Sequence, residues 1–292
     1  MISDKFIQLQ TKRRRRNDGG AVLPVDSSQT ESALMEHQLT AITHLPSATL
    51  ANCLLTFLDT QPIDIPLAQQ QHRRYRELFS RHGVGVVSLT ENSALPDAVF
   101  VEDTAVVLPE LAIITPMGAP QRRAETALIA AALAPYRPVA YIQPPARLEG
   151  GDVLRIGRSL FVGLSQRTNA AGIAALQALV EPRGYTVTGV PVHGCLHLKT
   201  GCTALDGHQL LVNPDWIDTT PLQNYSLLPV PEMEPFAANI LQLGNTICMP
   251  AAFPRSRRLI ESLGFTVETV DISEFQKAEA GLTCMSLLLT DS

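Results

Sequence analysis

No stretch of the sequence reaches the roughly 18 uninterrupted apolar residues that a membrane-spanning helix needs, so no membrane partner is expected. The first 20 residues are charged and hold no apolar leader core, so no secretory signal is expected. Cysteine is scarce. The five residues, Cys53, Cys195, Cys202, Cys248 and Cys284, are odd in number and unclustered in a chain of 292. They do not read as a disulfide framework, and the compartment they suggest is a reducing cytoplasm in which any one thiol is free to react. A basic excess is lacking as well. The net charge is −5, which does not suggest a nucleic-acid partner. What the chain does have is 45% apolar residues, enough for a large packed core.

Residues 1–36 differ from the rest. A basic run from Lys12 to Arg16 is followed by Asn17-Asp18-Gly19-Gly20 and a Ser/Thr-rich stretch, with no apolar periodicity. This reads as a disordered, solvated tail, preferred over a nucleic-acid or targeting arm. Recognisable folding signals begin at Leu39, so Met35 is an alternative natural start. The expectation is therefore a disordered extension over 1–36 and one catalytic domain over 37–292.

The body repeats itself. Apolar strand pairs are expected over residues 99–115, 152–163, 196–212 and 238–249, around turns at Pro109-Glu110, Gly157-Arg158, Asp206-Gly207 and Gly244-Asn245. A last apolar run, 281–290, has nothing after it to pair with, and residues 39–45 are its expected partner. Helices are expected over about 67–79, 119–134, 169–179 and 255–264, with Pro120 in a first turn and Asn169 as an N-cap. Single strands at 84–89, 139–142, 187–192, 227–230 and 267–272 complete five units of hairpin, helix and strand. The period is about 47 residues, the range of propellers and solenoids. Pairing the two ends in one unit would close a ring and remove open sheet edges.

Chemistry-bearing residues fall at matching places in this array. Glu102 to Glu149 is 47 residues, Glu149 to His197 is 48, and His197 to Cys284 is 87, close to two periods. Equivalent positions of a cyclic array face one axis, so acids, a histidine and a cysteine are delivered to one place. A thiolate is a nucleophile, and a histidine beside it lowers its pKa and carries protons. Glu149 can orient His197, as a carboxylate does in triads. Glu102 and Asp103 are then free to hold a cation, and a guanidinium suits planar, charge-assisted bonds to carboxylates. Arg122 and Arg167 follow two of the hairpins and can take a carboxylate. The set describes a site for a zwitterionic arginine derivative.

Plainer readings compete with each member. A lone cysteine in an apolar strand is usually core packing. A lone histidine in a strand is usually structural, Glu149-Gly150-Gly151-Asp152 can be a simple turn, and Arg122-Arg123 a solvated helix face. The shared period favours the set over its members. His193, Cys195, His197 and Cys202 have zinc-ligand chemistry, but their spacing matches no standard zinc finger. No metal is assigned.

The string L-P-D-A-V-F-V-E-D-T (95–104) is followed in order by A-I-I-T (112–115), R-R-A-E-T (122–126), L-E-G-G-D (148–152), S-Q-R-T-N-A (165–170), L-H-L-K-T-G (196–201), A-N-I (238–240), I-C-M-P-A (247–251), P-R-S-R (254–257) and L-T-C-M-S-L (282–287). With these motifs the chain resembles the dimethylarginine dimethylaminohydrolases of the guanidino-group-modifying, or pentein, superfamily. The resemblance covers nearly all of the body. It implies a five-unit pseudo-symmetric α/β propeller and hydrolysis of Nω-methylated arginine to citrulline and dimethylamine or methylamine through a covalent thiouronium intermediate. It implies Cys284 as nucleophile, His197 as general acid and base, and Glu149 in support. It implies Asp103 and Glu102 on the guanidinium nitrogens, Asp97 with a backbone carbonyl near Leu54 on the α-amino group, and Arg122 and Arg167 on the α-carboxylate. No cofactor is required. A small guanidino substrate is the expected partner, and the assembly a monomer or homodimer.

Arginine deiminases resemble the chain too, but carry an extra helical domain and an Asp two residues after the catalytic His, where this chain has Lys199. Amidinotransferases share the intermediate in longer chains. Binding propellers without catalysis lack the Cys/His pair.

Overall fold

The computed structural model of the protein describes residues 39–290. The expectation for residues 1–36 lies outside them. The chain first lays down β1 (Leu39–His44) and β2 (Gly85–Leu89). Then come β3 (Ala105–Val107), β4 (Ala112–Ile114) and β5 (Val139–Tyr141), followed by β6 (Val153–Ile156), β7 (Ser159–Leu164) and β8 (Thr186–Pro191). β9 (Cys202–Ala204), β10 (Gln209–Val212) and β11 (Ser226–Pro229) form the fourth group. β12 (Leu241–Leu243), β13 (Thr246–Pro250) and β14 (Thr266–Val270) form the fifth, and β15 (Leu287–Thr290) ends the described chain.

Among the described residues these make five three-stranded sheets of one design: an antiparallel pair, then a parallel third strand. β3–β4–β5, β6–β7–β8, β9–β10–β11 and β12–β13–β14 are each continuous in sequence. The remaining sheet is β15–β1–β2, in which Leu39 faces Thr290 and Ile42 faces Leu287 across an antiparallel pair. β15 thus pairs with β1, and the five-unit α/β propeller is closed.

The helices are α1 (Ile65–Arg81), α2 (Thr126–Leu133), α3 (Ala170–Val180), α4 (Leu198–Gly201), α5 (Pro254–Ser262) and α6 (Ser273–Gln276). None is long and apolar enough to cross a membrane. α1 starts where the Asp64 carboxylate accepts the Leu67 N–H at 3.0 Å, a cap worth about 1 kcal/mol. It buries Ala68, Gln71, His72, Tyr75, Leu78 and Phe79, the three-and-four spacing of one face. The face packs on Phe275, Leu282 and Met285. The Tyr75 hydroxyl donates to the Leu282 carbonyl at 2.7 Å. α3 is capped by Asn169, whose side chain accepts the Gly172 N–H at 2.8 Å. The hairpin turns at Gly157 (φ 58) and Gly244 (φ 57) use the left-handed backbone that glycine adopts without strain.

Three expectations need correcting. The segment over 119–134 is a 3-10 turn, Pro120–Glu125, followed by α2, because Arg122 and Glu125 turn inward to pair with each other. The expected leading strands are shorter than their apolar runs. Val101–Thr104, Gly150–Asp152 and Thr283–Met285 are 3-10 turns and Leu198–Gly201 is the one-turn α4, each just before β3, β6, β15 and β9. The strand pair expected from residue 196 starts only at Cys202, and residues 193 to 197 form no strand. The physical reason is shared: a strand would turn adjacent side chains to opposite faces, whereas a tight turn aims several polar groups at the axis.

Candidate active site

These turns carry the singled-out residues. Glu102 and Asp103 lie within the first, Glu149 immediately precedes the second, His197 immediately precedes α4, and Cys284 lies within the last. The double glycine after Glu149 is what lets neighbouring turns touch. A Cβ on Gly150 would fall 2.0 Å from the Glu102 carbonyl oxygen. A Cβ on Gly151 would fall 2.7 Å from Asp103 Oδ1 and 2.8 Å from His197 Nδ1.

A cleft of about 360 Å³ of empty space is lined by Leu54, Asp97, Asp103, Arg122, Arg167, His197 and Cys284, with Ala278, Glu279 and Ala280 along one wall. Cys284 is partly exposed, while Asp97, Asp103, Arg122, Arg167 and His197 are buried. Glu149 stands directly behind His197, its Oε2 2.7 Å from His197 Nε2. Glu149 Oε1 accepts the Ala119 N–H at 3.1 Å and Arg167 Nη1 at 3.4 Å. Asp103 Oδ1 lies 3.8 Å from His197 Nε2 and has no hydrogen-bond partner. Such an orphaned buried acceptor is costly unless a ligand supplies the donor.

At the other end, Asp97 accepts the Leu54 N–H at 3.1 Å. Arg122 donates from Nη1 to Asp103 Oδ2 at 2.6 Å and from Nη2 to Glu125 Oε2 at 2.8 Å. Arg167 Nη2 donates to Thr56 Oγ1 at 2.9 Å. Glu102 is placed apart from the others. Its oxygens are occupied by Lys199 Nζ and by Thr283 Oγ1, the latter at 2.7 Å, and it lines a second, larger cavity of about 1020 Å³ of empty space. The cleft therefore gathers every expected side chain except Glu102 and the supporting Glu149 into its lining.

The local field is anionic. Asp97, Glu102, Asp103, Glu125, Glu149 and Asp152 are buried here against Arg122, Arg167 and Lys199. Burial opposes charge on His197, but Asp103, Asp152 and Glu149 outweigh it and raise its pKa. Burial likewise opposes charge on Glu149, yet its bond to His197 and the charges of His197, Arg122 and Arg167 lower its pKa. The pair is held as imidazolium and carboxylate. Burial first, then Glu102 and Asp103, push the Cys284 thiol up. Burial pushes Cys195, Cys202 and Cys248 up to about 12, and Cys53 to about 11. A cation placed between Cys284 and Asp103 would lower the thiol, so the site becomes reactive when it holds positive charge.

Several contributors escape a reading by residue type. Asp152 Oδ1 accepts the Leu198 N–H at 2.9 Å and so pins the turn that carries His197. Asn239 donates to Thr283 Oγ1 and accepts the Thr283 N–H, each at 3.0 Å, which fixes the turn that carries Cys284. The period gives a signal for it, since Asn239 lies 42 residues after His197 and 45 before Cys284. Glu125 and Thr283 carry no such signal. Among the described residues, Asp103, Glu149 and His197 form the cluster whose donor atoms could converge on a metal ion. His193, Cys195 and Cys202 are not in it, and Cys195 Sγ instead donates to the His197 carbonyl at 3.2 Å.

A family model described as arginine deiminase matches residues 91–229. The N(G),N(G)-dimethylarginine dimethylaminohydrolase of Streptomyces coelicolor is 39% identical over 252 residues, covering 86% of this chain and 97% of that one. The enzyme of the same name from Pseudomonas aeruginosa is 34% identical over 249 residues, covering 84% and 98%. A structure of the Pseudomonas aeruginosa enzyme, a cysteine-to-serine mutant complexed with citrulline, matches with a TM-score of 0.82 at 32% identity, covering 87% of this chain and 99% of that one. The N-terminal domain of a cyanobacterial arginine dihydrolase shares the fold, with a TM-score of 0.79 at 18% identity. Fold and site together define a pentein with a cysteine, a histidine and carboxylates at its axis. Within that class, the chain belongs to the dimethylarginine dimethylaminohydrolase family.

Proposed function

We propose that this protein hydrolyses Nω-methylated arginine, asymmetric dimethylarginine or monomethylarginine, to citrulline and dimethylamine or methylamine. The observation that carries the proposal is the cleft itself: a partly exposed thiol and a carboxylate-backed histidine at one end, and arginines with an aspartate at the other. Residues 37–292 are taken as the catalytic domain.

The substrate's guanidinium would lie at Asp103, whose Oδ1 is unpaired. Its α-ammonium would lie at Asp97, beside Leu54, and its carboxylate at Arg122 and Arg167. Glu102, whose oxygens hold Lys199 and Thr283, would fix the turn that carries Cys284 rather than bind the guanidinium. The arriving cation offsets the carboxylates that raise the thiol, so the Cys284 proton passes to solvent as the substrate binds. Sγ then adds to the guanidinium carbon. His197 gives a proton to the methylated nitrogen, the carbon–nitrogen bond breaks, and the amine departs. The planar thiouronium that remains is attacked by water, which yields its proton to His197. Collapse expels the Cys284 thiolate and leaves citrulline. Glu149 holds the imidazole in place throughout.

Lys199 favours this reaction over deimination of arginine. It stands where the deiminases have a further carboxylate, and it pairs with Glu102, so fewer acceptors surround the guanidinium. The intermediate is the direct test. Acid quenching during turnover of dimethylarginine should leave the thiouronium mass on the peptide containing Cys284. Turnover with the mass on no peptide, or on another cysteine, would refute the assigned nucleophile.

A further inference from the structure

Glu279 has one of the few backbone conformations here that its residue type resists. Its φ is 61, left-handed and not at a glycine, a geometry that costs an L-residue about 1 kcal/mol or more. The turn that bears it follows α6 and precedes Cys284 by five residues. This bend aims its side chain across the cleft at residues 53–64, which have neither helix nor strand. There Oε1 accepts three successive backbone N–H groups, from Thr56 at 2.9 Å, Phe57 at 2.5 Å and Leu58 at 2.6 Å. Consecutive amides converging on one anionic oxygen form a backbone nest, a strong and directional anion site. Oε2 is buried without a partner, so the whole clamp runs through one oxygen.

The clamped segment carries substrate-facing parts at both ends of the same short stretch. The Leu54 N–H holds Asp97, and the Thr56 hydroxyl holds Arg167 Nη2. Leu54 and Glu279 both line the cleft. Releasing the segment frees the two groups assigned to the α-ammonium and α-carboxylate, while His197, Glu149 and Cys284 sit on other elements and keep their places.

We propose that Glu279 is a positioning residue: its carboxylate, seated in the amide nest of residues 56–58, fastens this segment over the cleft so that Asp97 and Arg167 are set to bind the amino-acid end of the substrate. The inference rests on the methylarginine reading for its kinetic consequence and on the hydrogen bonds alone for its structural one.

Glu279→Ala and Glu279→Gln test this. Ala should raise KM for dimethylarginine about tenfold or more while kcat stays within about threefold, because the chemistry at Cys284 is untouched. Gln keeps an oxygen that accepts from the same amides and should recover most of the loss. Hydrogen exchange at the amides of residues 56–58 should be about tenfold faster in Ala and near the parent rate in Gln. Unchanged exchange and unchanged KM in Ala would overturn the proposal. So would a fall in kcat as large as the rise in KM, or no rescue by Gln. Should Ala fail to fold, a Gln variant with Ala-like KM and exchange decides against it. A parent protein without methylarginine turnover refutes the function instead, and leaves the clamp to the exchange measurement.

Discussion

His197 and Glu149 form a buried pair, with 2.7 Å between Nε2 and Oε2, and each holds the other's charge. Glu149→Gln keeps the shape and removes the charge. The imidazole pKa should fall, and kcat/KM should drop about 100-fold or more, as for other groups that orient a general acid. NMR titration of labelled histidine checks the first and steady-state kinetics the second. The pair also makes a stability prediction. A raised histidine contributes fully below its unfolded pKa and loses that contribution as pH rises through the folded value. A lowered glutamate contributes above its unfolded pKa and loses it as pH falls. The parent's stability advantage over Glu149→Gln should therefore be greatest between about pH 4.3 and 6.5. Denaturation midpoints across pH would show this.

Gly151 leaves room for that pair. An added Cβ would press on His197 Nδ1 at 2.8 Å and on Asp103 Oδ1 at 2.7 Å. Gly151→Ala should remain folded and lose about 100-fold or more in kcat, since a small displacement of a proton carrier is costly. Equal kcat in the folded variant would contradict the close packing of these turns.

Lys199 and Glu102 are a mostly buried ion pair between two units. Lys199→Met strands the Glu102 carboxylate and should destabilise by about 3 kcal/mol. The double variant with Glu102→Met leaves no unpaired charge and should be the more stable of the two. Chemical denaturation of both variants reads the difference.

The Cys284 thiol of the empty site is pushed up by burial and by Glu102 and Asp103. A cationic alkylator brings the charge that reverses this. Chloroacetamidine should inactivate at neutral pH about tenfold or more faster than chloroacetamide, and labelling should fall on Cys284. Equal rates would show that the carboxylates do not govern the thiol.

Closure of the ring was legible in the sequence because residues 281–290 and 39–45 are apolar strands outside the four hairpins, and they pair as β15 and β1. The meeting of Glu149, His197 and Cys284 was legible as a period, but Glu102, which shares that period, lines the second cavity instead. Their local structure was not. The apolar run V-F-V at 99–101 suits a strand, and tertiary packing against Gly150 bends residues 101–104 into a turn instead. The partner of Glu102 was hidden because Lys199 is 97 residues away and no local pattern links them. Lys199 was readable as a missing carboxylate, but not as the group that neutralises one.

Citrulline release from asymmetric dimethylarginine, monomethylarginine and arginine, each with the parent protein and with Cys284→Ser, tests the central claim most directly. The account predicts turnover of the methylated substrates, little of arginine, and none by the variant. Turnover of arginine alone, or undiminished turnover by Cys284→Ser, would contradict it.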